Sequence, residues 1–287
     1  MIRSLPTSRG YNVGFKIYIC LFFIFLFAPL FITCVLAFND SMFPALPWKG
    51  FTLDWFIANE ADRVGIFHDQ TNLASIWVSF KTAFFVAIFS TVVGTCGAFL
   101  FEQEEFRFKQ LLYFLMLAPL VIPGVILGIS ILLFSNTLGL FVEERFGLDI
   151  GLLRPGFWLV VLGQFSFITT LVTLIVSAQL KKFDYTLEEA ALNLGANRFQ
   201  VIMYITLRFL KPAILGAMAI AFLMSFENFN TTLFLVGSEA TLPINLYLQV
   251  RDGSTPVINA ISFLLIVGTS CLALCNLFLQ KGGHDES

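Results

Sequence analysis

Two carboxylates stand out in this chain by their surroundings. Glu189 lies in the polar run Lys181-Lys182-Phe183-Asp184-Tyr185-Thr186-Leu187-Glu188-Glu189-Ala190-Ala191-Leu192-Asn193-Leu194-Gly195, between two long apolar stretches. Glu227 lies inside an apolar stretch, at Met224-Ser225-Phe226-Glu227-Asn228-Phe229-Asn230-Thr231-Thr232. The first can cap a helix or meet a partner. The second is costly: a charge near the centre of a bilayer costs about 2.5–3.5 kcal/mol on insertion scales, and such residues face a bundle interior or a water path. A carboxylate there attracts cations, and the rings of Phe226 and Phe229, three residues apart and so on one side of a continuous helix, offer cation–π contact or simple packing. Gln164, Ser166, Thr169 and Thr170 belong to another apolar stretch, where polar residues line a path or hydrogen-bond neighbouring helices together.

Other chemistries find no support. No glycine-rich phosphate loop occurs, so the chain is not expected to hydrolyse ATP. The two histidines, His68 and His284, fall outside the apolar stretches, so the cluster that a membrane-embedded enzyme needs is missing and no metal or catalytic residue is expected. Cys271 and Cys275 share a helix face but lack further soft ligands. With Cys20, Cys34 and Cys96 they read as small apolar residues.

The elements that hold these residues follow from composition. Of 287 residues, 57% are hydrophobic and 13% charged, with 35 phenylalanines and a mean hydropathy of +0.85. Soluble domains carry about 25% charged residues, so lipid is the solvent that accommodates this excess of apolar surface. Six segments are long enough to cross a bilayer: Phe15–Phe38, Leu73–Phe101, Leu111–Phe134, Phe157–Leu180, Pro212–Val236 and Val257–Leu279. A backbone in lipid must satisfy its own hydrogen bonds, and the alternation of barrel strands is absent, so all six are expected to be helices of an all-α polytopic membrane protein. The first is too long for a signal-peptide core and is expected to be retained. Pro119, Pro123, Gly124 and Gly128 predict a kink in the third. In the segment of about 39–72, Trp48 and Trp55 are expected to sit at the headgroup level.

Basic residues set the expected orientation. With the amino terminus inside, eleven fall on the cytoplasmic side: Arg3, Arg9, Lys16, Arg107, Lys109, Lys181, Lys182, Arg198, Arg208, Lys211 and Lys281. Six fall outside: Lys49, Arg63, Lys81, Arg145, Arg154 and Arg251. Both termini (1–14 and 281–287) and the loop 181–211 are therefore expected in the cytoplasm, with the six-helix domain over 15–280. Within that loop, Thr186 and Glu189 form a capping-box pattern that starts a short helix, Gly195 can end it, and Asn197 with Gln200 starts a second. The product is a helix–glycine–helix elbow.

The spacing Glu189-Ala190-Ala191, three residues, Gly195, nine residues, Ile205, one residue, Leu207 resembles the EAA loop of ABC importer permeases. In that family the loop is the coupling helix that docks into a cleft of the cytoplasmic ATPase. The resemblance implies the type I importer permease fold and a coupling role for Glu188, Glu189, Ala190, Ala191, Leu194, Gly195, Ala196 and Arg198. Arg208 stands where the family usually has proline, with Pro212 four residues later. The run Ala118-Pro119-Leu120-Val121-Ile122-Pro123-Gly124-Val125-Ile126-Leu127-Gly128-Ile129-Ser130 is similar to the spermidine/putrescine branch, in particular its second permease subunit. So are Thr241-Leu242-Pro243, Val250–Ala260 and Phe38-Asn39-Asp40-Ser41. That branch carries acidic residues around Glu227, often two in succession; here the second position is Asn228. The implied substrate path takes in Glu227, Asn228, Phe226, Phe229, Asn230 and Thr231. The implied partners are a homologous permease subunit, two copies of an ABC ATPase that bind ATP and Mg, and an extracytoplasmic binding protein, all at a bacterial inner membrane. The implied cargo is a polyamine; ferric ion, thiosulfate, phosphonate or another organic cation are the alternatives. A secondary transporter would show internal repeats, and none is visible.

Overall fold

The computed structural model describes residues 9–44, 46–60, 63–253 and 255–282, with the side chains of Arg9 and of 272–282 outside the description. The two ends, 1–8 and 283–287, and the side chains of Cys275 and Lys281 therefore lie outside the described residues. The chain divides into two compact units, 1–73 with 248–287, and 74–247.

In the first unit, α1 (Arg9–Leu36) packs on α12 (Val257–Gly282). The segment between α1 and the next long helix folds on itself rather than lying as an open loop. It holds one turn of helix, α2 (Asp54–Ile57), and a two-stranded antiparallel ladder, β1 (Asn59–Glu60) with β2 (Arg63–Val64), in which Asn59 pairs with Val64 and Glu60 with Arg63. Phe38 is the hub, with ring centroids 5.4 Å from Phe51, 5.3 Å from Phe56 and 4.9 Å from Phe263. Arg63 bridges Asp40 at 2.7 Å and Asp54 at 3.0 Å and lies over the Trp55 ring. The two carboxylates, Asp40 first, hold its guanidinium protonated. Trp55, expected at the headgroups, is instead only 3% exposed, and its indole N–H donates to the Asn39 carbonyl at 2.8 Å. An indole whose polar end finds a partner inside the protein gains more by burial than by sitting in an interface.

The second unit contains most of α3 (Gln70–Gln103), then α4 (Lys109–Val121), α5 (Gly124–Phe146), α6 (Phe157–Leu180), α7 (Thr186–Asn193), α8 (Arg198–Val201), α9 (Leu207–Phe226), α10 (Thr232–Leu235) and the first part of α11 (Leu242–Gly253). A single π-helical turn, Ile202–Thr206, joins α8 to α9. The core helix is α6, whose Ile168, Val172, Val176 and Leu180 are fully buried. Against it lie Leu210, Ala217 and Ala221 of α9, at spacings of seven and four that make one stripe. On another side α3 comes close through small residues. A Cβ on Gly94 would meet Val172 Cγ1 at 2.7 Å, and Ser90 accepts a hydrogen bond from Thr169 at 3.2 Å. Small side chains that let helix backbones approach are the usual basis of packing in lipid, where no hydrophobic force drives association.

Among the described residues, five helices are long and apolar enough to span a membrane: Gly10–Leu36, Gln70–Gln103, Gly124–Phe146, Phe157–Leu180 and Arg198–Phe226. The sixth expected segment corresponds to α12, apolar over Val257–Cys271. Two expectations need correction. The third segment, Leu111–Phe134, is not one kinked helix but two, because Ile122 and Pro123 are both extended (ψ 130° and 132°) between α4 and α5. Proline disfavours helical geometry in the residue before it, and Pro123 imposes that on Ile122. The fifth segment, Pro212–Val236, stops being helical at Phe226; residues 227–231 are irregular before α10. It also starts earlier, since the helix runs on from Arg198 through the π turn and carries Pro212 inside it.

Candidate functional site

The helix–glycine–helix elbow forms, but its first cap differs from the expected one. Thr186 is inside α7, and Tyr185 at the N-cap position makes no side-chain cap. Asp184 does that work instead: its Oδ1 accepts from the Thr186 amide at 3.0 Å and from the Thr186 hydroxyl at 2.8 Å. An aspartate two residues ahead of a helical threonine closes an Asx turn, and it competes successfully with the threonine for the free N–H groups. The same two bonds, the Thr186 hydroxyl first, hold the Asp184 carboxyl below its ordinary value. The depressed value means that this cap contributes in full above the unfolded carboxylate value and is lost as pH falls through the lower folded one. Amide exchange at Thr186 should therefore follow intrinsic rates from pH 8 to 5 with constant protection. Protection should collapse only in strong acid, and Asp184→Asn, which retains a cap oxygen, should flatten that acid limb.

The other end of α7 is as the glycine predicted. Gly195 sits at φ +90°, its N–H donating to Leu192 O at 3.0 Å, while the Ala196 N–H donates to Ala191 O at 3.1 Å. Those two bonds make a Schellman motif, in which Ala191 and Ala196 are both half-buried. The second helix starts with the expected reciprocal box: the Gln200 amide donates to Asn197 Oδ1 at 2.8 Å, and the Asn197 amide to Gln200 Oε1 at 2.9 Å. Between these fixed points the elbow carries an unpartnered surface. Glu189 and Ala190 are exposed, Arg198 is exposed, and Leu194 is 90% exposed with Phe199 at 72%. Glu188 is the exception. It is half-buried and accepts a 2.5 Å hydrogen bond from the hydroxyl of fully buried Thr206. Beside it a groove of about 540 Å³ opens between Glu188, Leu192 and Arg198 on the elbow and Glu102 to Glu104 at the end of α3.

The second candidate place is the break after α9. Glu227 is the C-cap of that helix, not a residue of its interior, and is exposed; its side chain makes no hydrogen bond or ion pair among the described residues. Asn228 is half-buried and occupied: its Oδ1 accepts from the Thr232 amide (3.3 Å) and hydroxyl (2.9 Å). Because the helix ends at Phe226, Phe226 and Phe229 do not share a face. Phe226 stacks on Phe222 at 6.1 Å, whose ring meets Phe80, whereas Phe229 lies 5.0 Å from the Tyr247 ring. Asn230 is exposed and Thr231 is buried, the latter tight against α5: a Cβ on Gly128 would stand 2.7 Å from the Thr231 carbonyl oxygen.

A hub holds this break in place. Gln164 is fully buried in α6; its Nε2 donates to Thr232 Oγ1 at 2.8 Å and its Oε1 accepts from the Ser225 hydroxyl. Ser225, Gln164, Thr232 and Asn228 thus form one hydrogen-bonded chain, buried except at Asn228, that spans the irregular residues. Of the other polar residues of α6, Thr170 donates to the Met116 carbonyl at 2.6 Å, one turn before Pro119, and Ser166 to its own helix at Gly163. All four therefore bond to protein in this structure. The sequence carried no signal for the Thr206 and Ser225 partners, since each pairing joins residues distant along the chain; the Asp184 cap was legible in its spacing to Thr186.

Comparison with known proteins agrees with this architecture. Residues 94–281 match the family model described as binding-protein-dependent transport system inner membrane component. The putrescine transport system permease protein PotI of Escherichia coli strain K12 is 30% identical over 292 residues, covering 99% of this chain and 96% of that one. The spermidine/putrescine transport system permease protein PotC of the same strain is 27% identical, covering 90% of each. In fold, the chain is similar to a bacterial ABC transporter structure described as involved in the import of the acidic polysaccharide alginate, with a TM-score of 0.60 at 13% identity over 97% of this chain and 99% of that one. Helix breaks also occur in secondary transporters, but the family match over residues 94–281 leaves no room for that reading. The chain belongs to the binding-protein-dependent transport system inner membrane component family and is a permease subunit of an ABC importer, not an enzyme.

Proposed function

We propose that this permease imports a polyamine of the putrescine or spermidine type, and that Glu227 meets the cargo. The observation that carries the reading is the state of that carboxylate: it stands exposed at the helix break that ends the apolar span Arg198–Phe226, and no basic residue of the described chain neutralises it. An unpaired carboxylate kept at such a place is worth its cost when a passing cation pairs with it. The two relatives named for putrescine and spermidine transport support the same cargo. Exposed Asn230 adds a neutral hydrogen-bonding group nearby in sequence, and Phe226 and Phe229 are sequence neighbours of the carboxylate, each packed on another ring. Asn228 serves as a cap for α10 and not as a second ligand.

In this reading both termini and the elbow face the cytoplasm. A homologous but distinct permease completes the pore. Two ATPase copies bind ATP and Mg, and an extracytoplasmic binding protein delivers cargo. The elbow's exposed Glu189, Ala190 and Leu194 meet the ATPase. ATP closure pushes the elbow, and the helices around the break reopen to the outside.

Uptake by the full complex in proteoliposomes, with a labelled panel of putrescine, spermidine, ferric ion, thiosulfate and a phosphonate, tests the cargo. ATP-dependent uptake of a polyamine is expected. Glu227→Gln should then lower that uptake about tenfold or more, equivalent to about 1.4 kcal/mol, with binding-protein-stimulated ATP hydrolysis preserved. Uptake of a different solute would retire the polyamine assignment, and unchanged polyamine uptake by Glu227→Gln would remove that residue from the path.

A further inference from the structure

We infer that Glu188 is a positioning residue whose bond to Thr206 joins the elbow to α9, so that the two move as one lever through the transport cycle. The inference rests on the reading of the elbow as the ATPase contact and adds how a push there reaches the membrane. Helix α7 has no buried residue, so no apolar core fixes its angle. Among the described residues, the side-chain hydrogen bond that ties it to α9 is the Glu188 carboxylate accepting from the Thr206 hydroxyl. Hydrogen bonds to an ionised oxygen are about twice as strong as neutral ones. Thr206 is fully buried, so the bond is shielded from water on one side.

What lies beyond Thr206 is rigid. The residue closes the π turn, and one helical turn later Leu210 is fully buried against α6. The π turn matters here. It inserts one residue into the ladder, which rotates everything after it by about 100°. Thr206 closes that turn four residues before Leu210, so the two share a face of the helix, with Thr206 at the end next to the elbow and Leu210, Ala217 and Ala221 continuing along α6. At the far end Ser225 bonds Gln164 of α6. Helix α9 is therefore fastened to α6 along its length and at its end, and to the elbow through Glu188. The two adjacent glutamates have separate tasks: exposed Glu189 faces outward, and half-buried Glu188 turns back to hold the lever.

The test uses the complete complex in proteoliposomes with Thr206→Val, Glu188→Ala, Glu188→Gln and the Thr206→Val/Glu188→Ala double variant. Two readouts are taken besides co-purification of the ATPase. The first is hydrogen exchange of the α7 amides, 186–193, which needs no cargo. The second is putrescine taken up per ATP hydrolysed. Thr206→Val keeps the shape of the side chain and removes only the donor. It should speed α7 exchange about tenfold and lower uptake per ATP at least fivefold, with the ATPase still bound. Glu188→Ala should match it, and the double variant should be no worse than either single, because both remove one bond. Glu188→Gln keeps the acceptor and should retain more than half the wild-type ratio. Wild-type exchange in Thr206→Val would overturn the inference. So would single defects that multiply in the double variant. Loss of the ATPase from Glu188→Ala but not from Thr206→Val would also overturn it, assigning Glu188 to the docking surface and leaving the elbow reading intact. Conversely, normal coupling in a Glu189 charge reversal would remove the docking reading itself. A tether gives a second check. With the five native cysteines replaced, Glu188→Cys and Thr206→Cys joined by a short bis-thiosulfonate should still transport. Transport blocked by the tether and restored by reductant would show that the two parts separate, which a single lever forbids.

Discussion

Replacing Glu189 with lysine is expected to leave the permease inserted and paired with its partner subunits while cutting uptake per ATP hydrolysed by about a hundredfold. Folding should survive because the side chain is exposed, and neither the Asp184 cap nor the Schellman closure at Gly195 uses it. The surface, by contrast, changes by two units of charge in the first turn of α7. That is where the positive end of the helix dipole favours an anion, and a lysine there is unfavourable to the helix end as well as to any cationic partner surface. The patch around it (Ala190, Leu194 at 90% exposure, Phe199 at 72%) is apolar and uncovered by the described residues, so the charge sits at the rim of a surface suited to protein contact. A hundredfold loss corresponds to about 2.7 kcal/mol, within the range that interface hot spots reach. ATP hydrolysis and uptake measured in the same vesicles decide it. A ratio equal to wild type would take the docking role away from this residue.

The other large effect is expected at Gln164. Leucine in its place has a similar volume but removes both a donor and an acceptor from a fully buried site. The Ser225 hydroxyl loses its acceptor, and the Thr232 hydroxyl loses a donor. The orphaned Ser225 hydroxyl costs about 1–3 kcal/mol, the Thr232 hydroxyl keeps its bond to Asn228 but loses one partner, and inside lipid no water enters to replace the lost bonds. The consequence is local before it is global, because the network is what orders the irregular residues between α9 and α10. Glu227 and Asn230 should lose their fixed placement. Polyamine uptake should fall at least tenfold, and the thermal midpoint of the purified permease should drop by several degrees. Gln164→Glu keeps an oxygen toward Ser225 but loses the amide toward Thr232, and should fall between the two. A thermal loss with uptake intact would mean that the network stabilises the bundle without positioning the path.

Much of this was written in local sequence. Four of the six apolar stretches, Gly195 at the turn, and the Asn197–Gln200 box all depend on residues within a few positions of one another, and each appears where its spacing put it. The errors share one cause. Thr186 was read as a cap because it stands three residues before Glu189, but Asp184 is closer to the free amides and the better acceptor. The stretch through Glu227 was read as helix because it is apolar, and hydropathy does not say where a helix stops inside lipid. Phe226 and Phe229 were placed on one face by a periodicity that does not extend past the break.

The sequence by itself determined the solvent, the approximate extent of four of the six apolar segments, and the form of the elbow, because hydrophobicity and capping act at short range along the chain. Tertiary structure decided which polar residues are available to a ligand. As letters in apolar runs, Glu227 read as a pathway residue, and Gln164 as either a path-lining residue or one that bonds helices together. One is fully buried with its hydrogen-bonding capacity spent on Ser225 and Thr232, and the other stands exposed at the end of its helix. Likewise Glu188 and Glu189 are neighbours of one chemical type, and only the fold turns the first back onto Thr206 and leaves the second free. A partner sixty-one residues away, as Ser225 is from Gln164, leaves no trace in local spacing. A buried hydrogen bond exists only once packing has brought both ends out of water together.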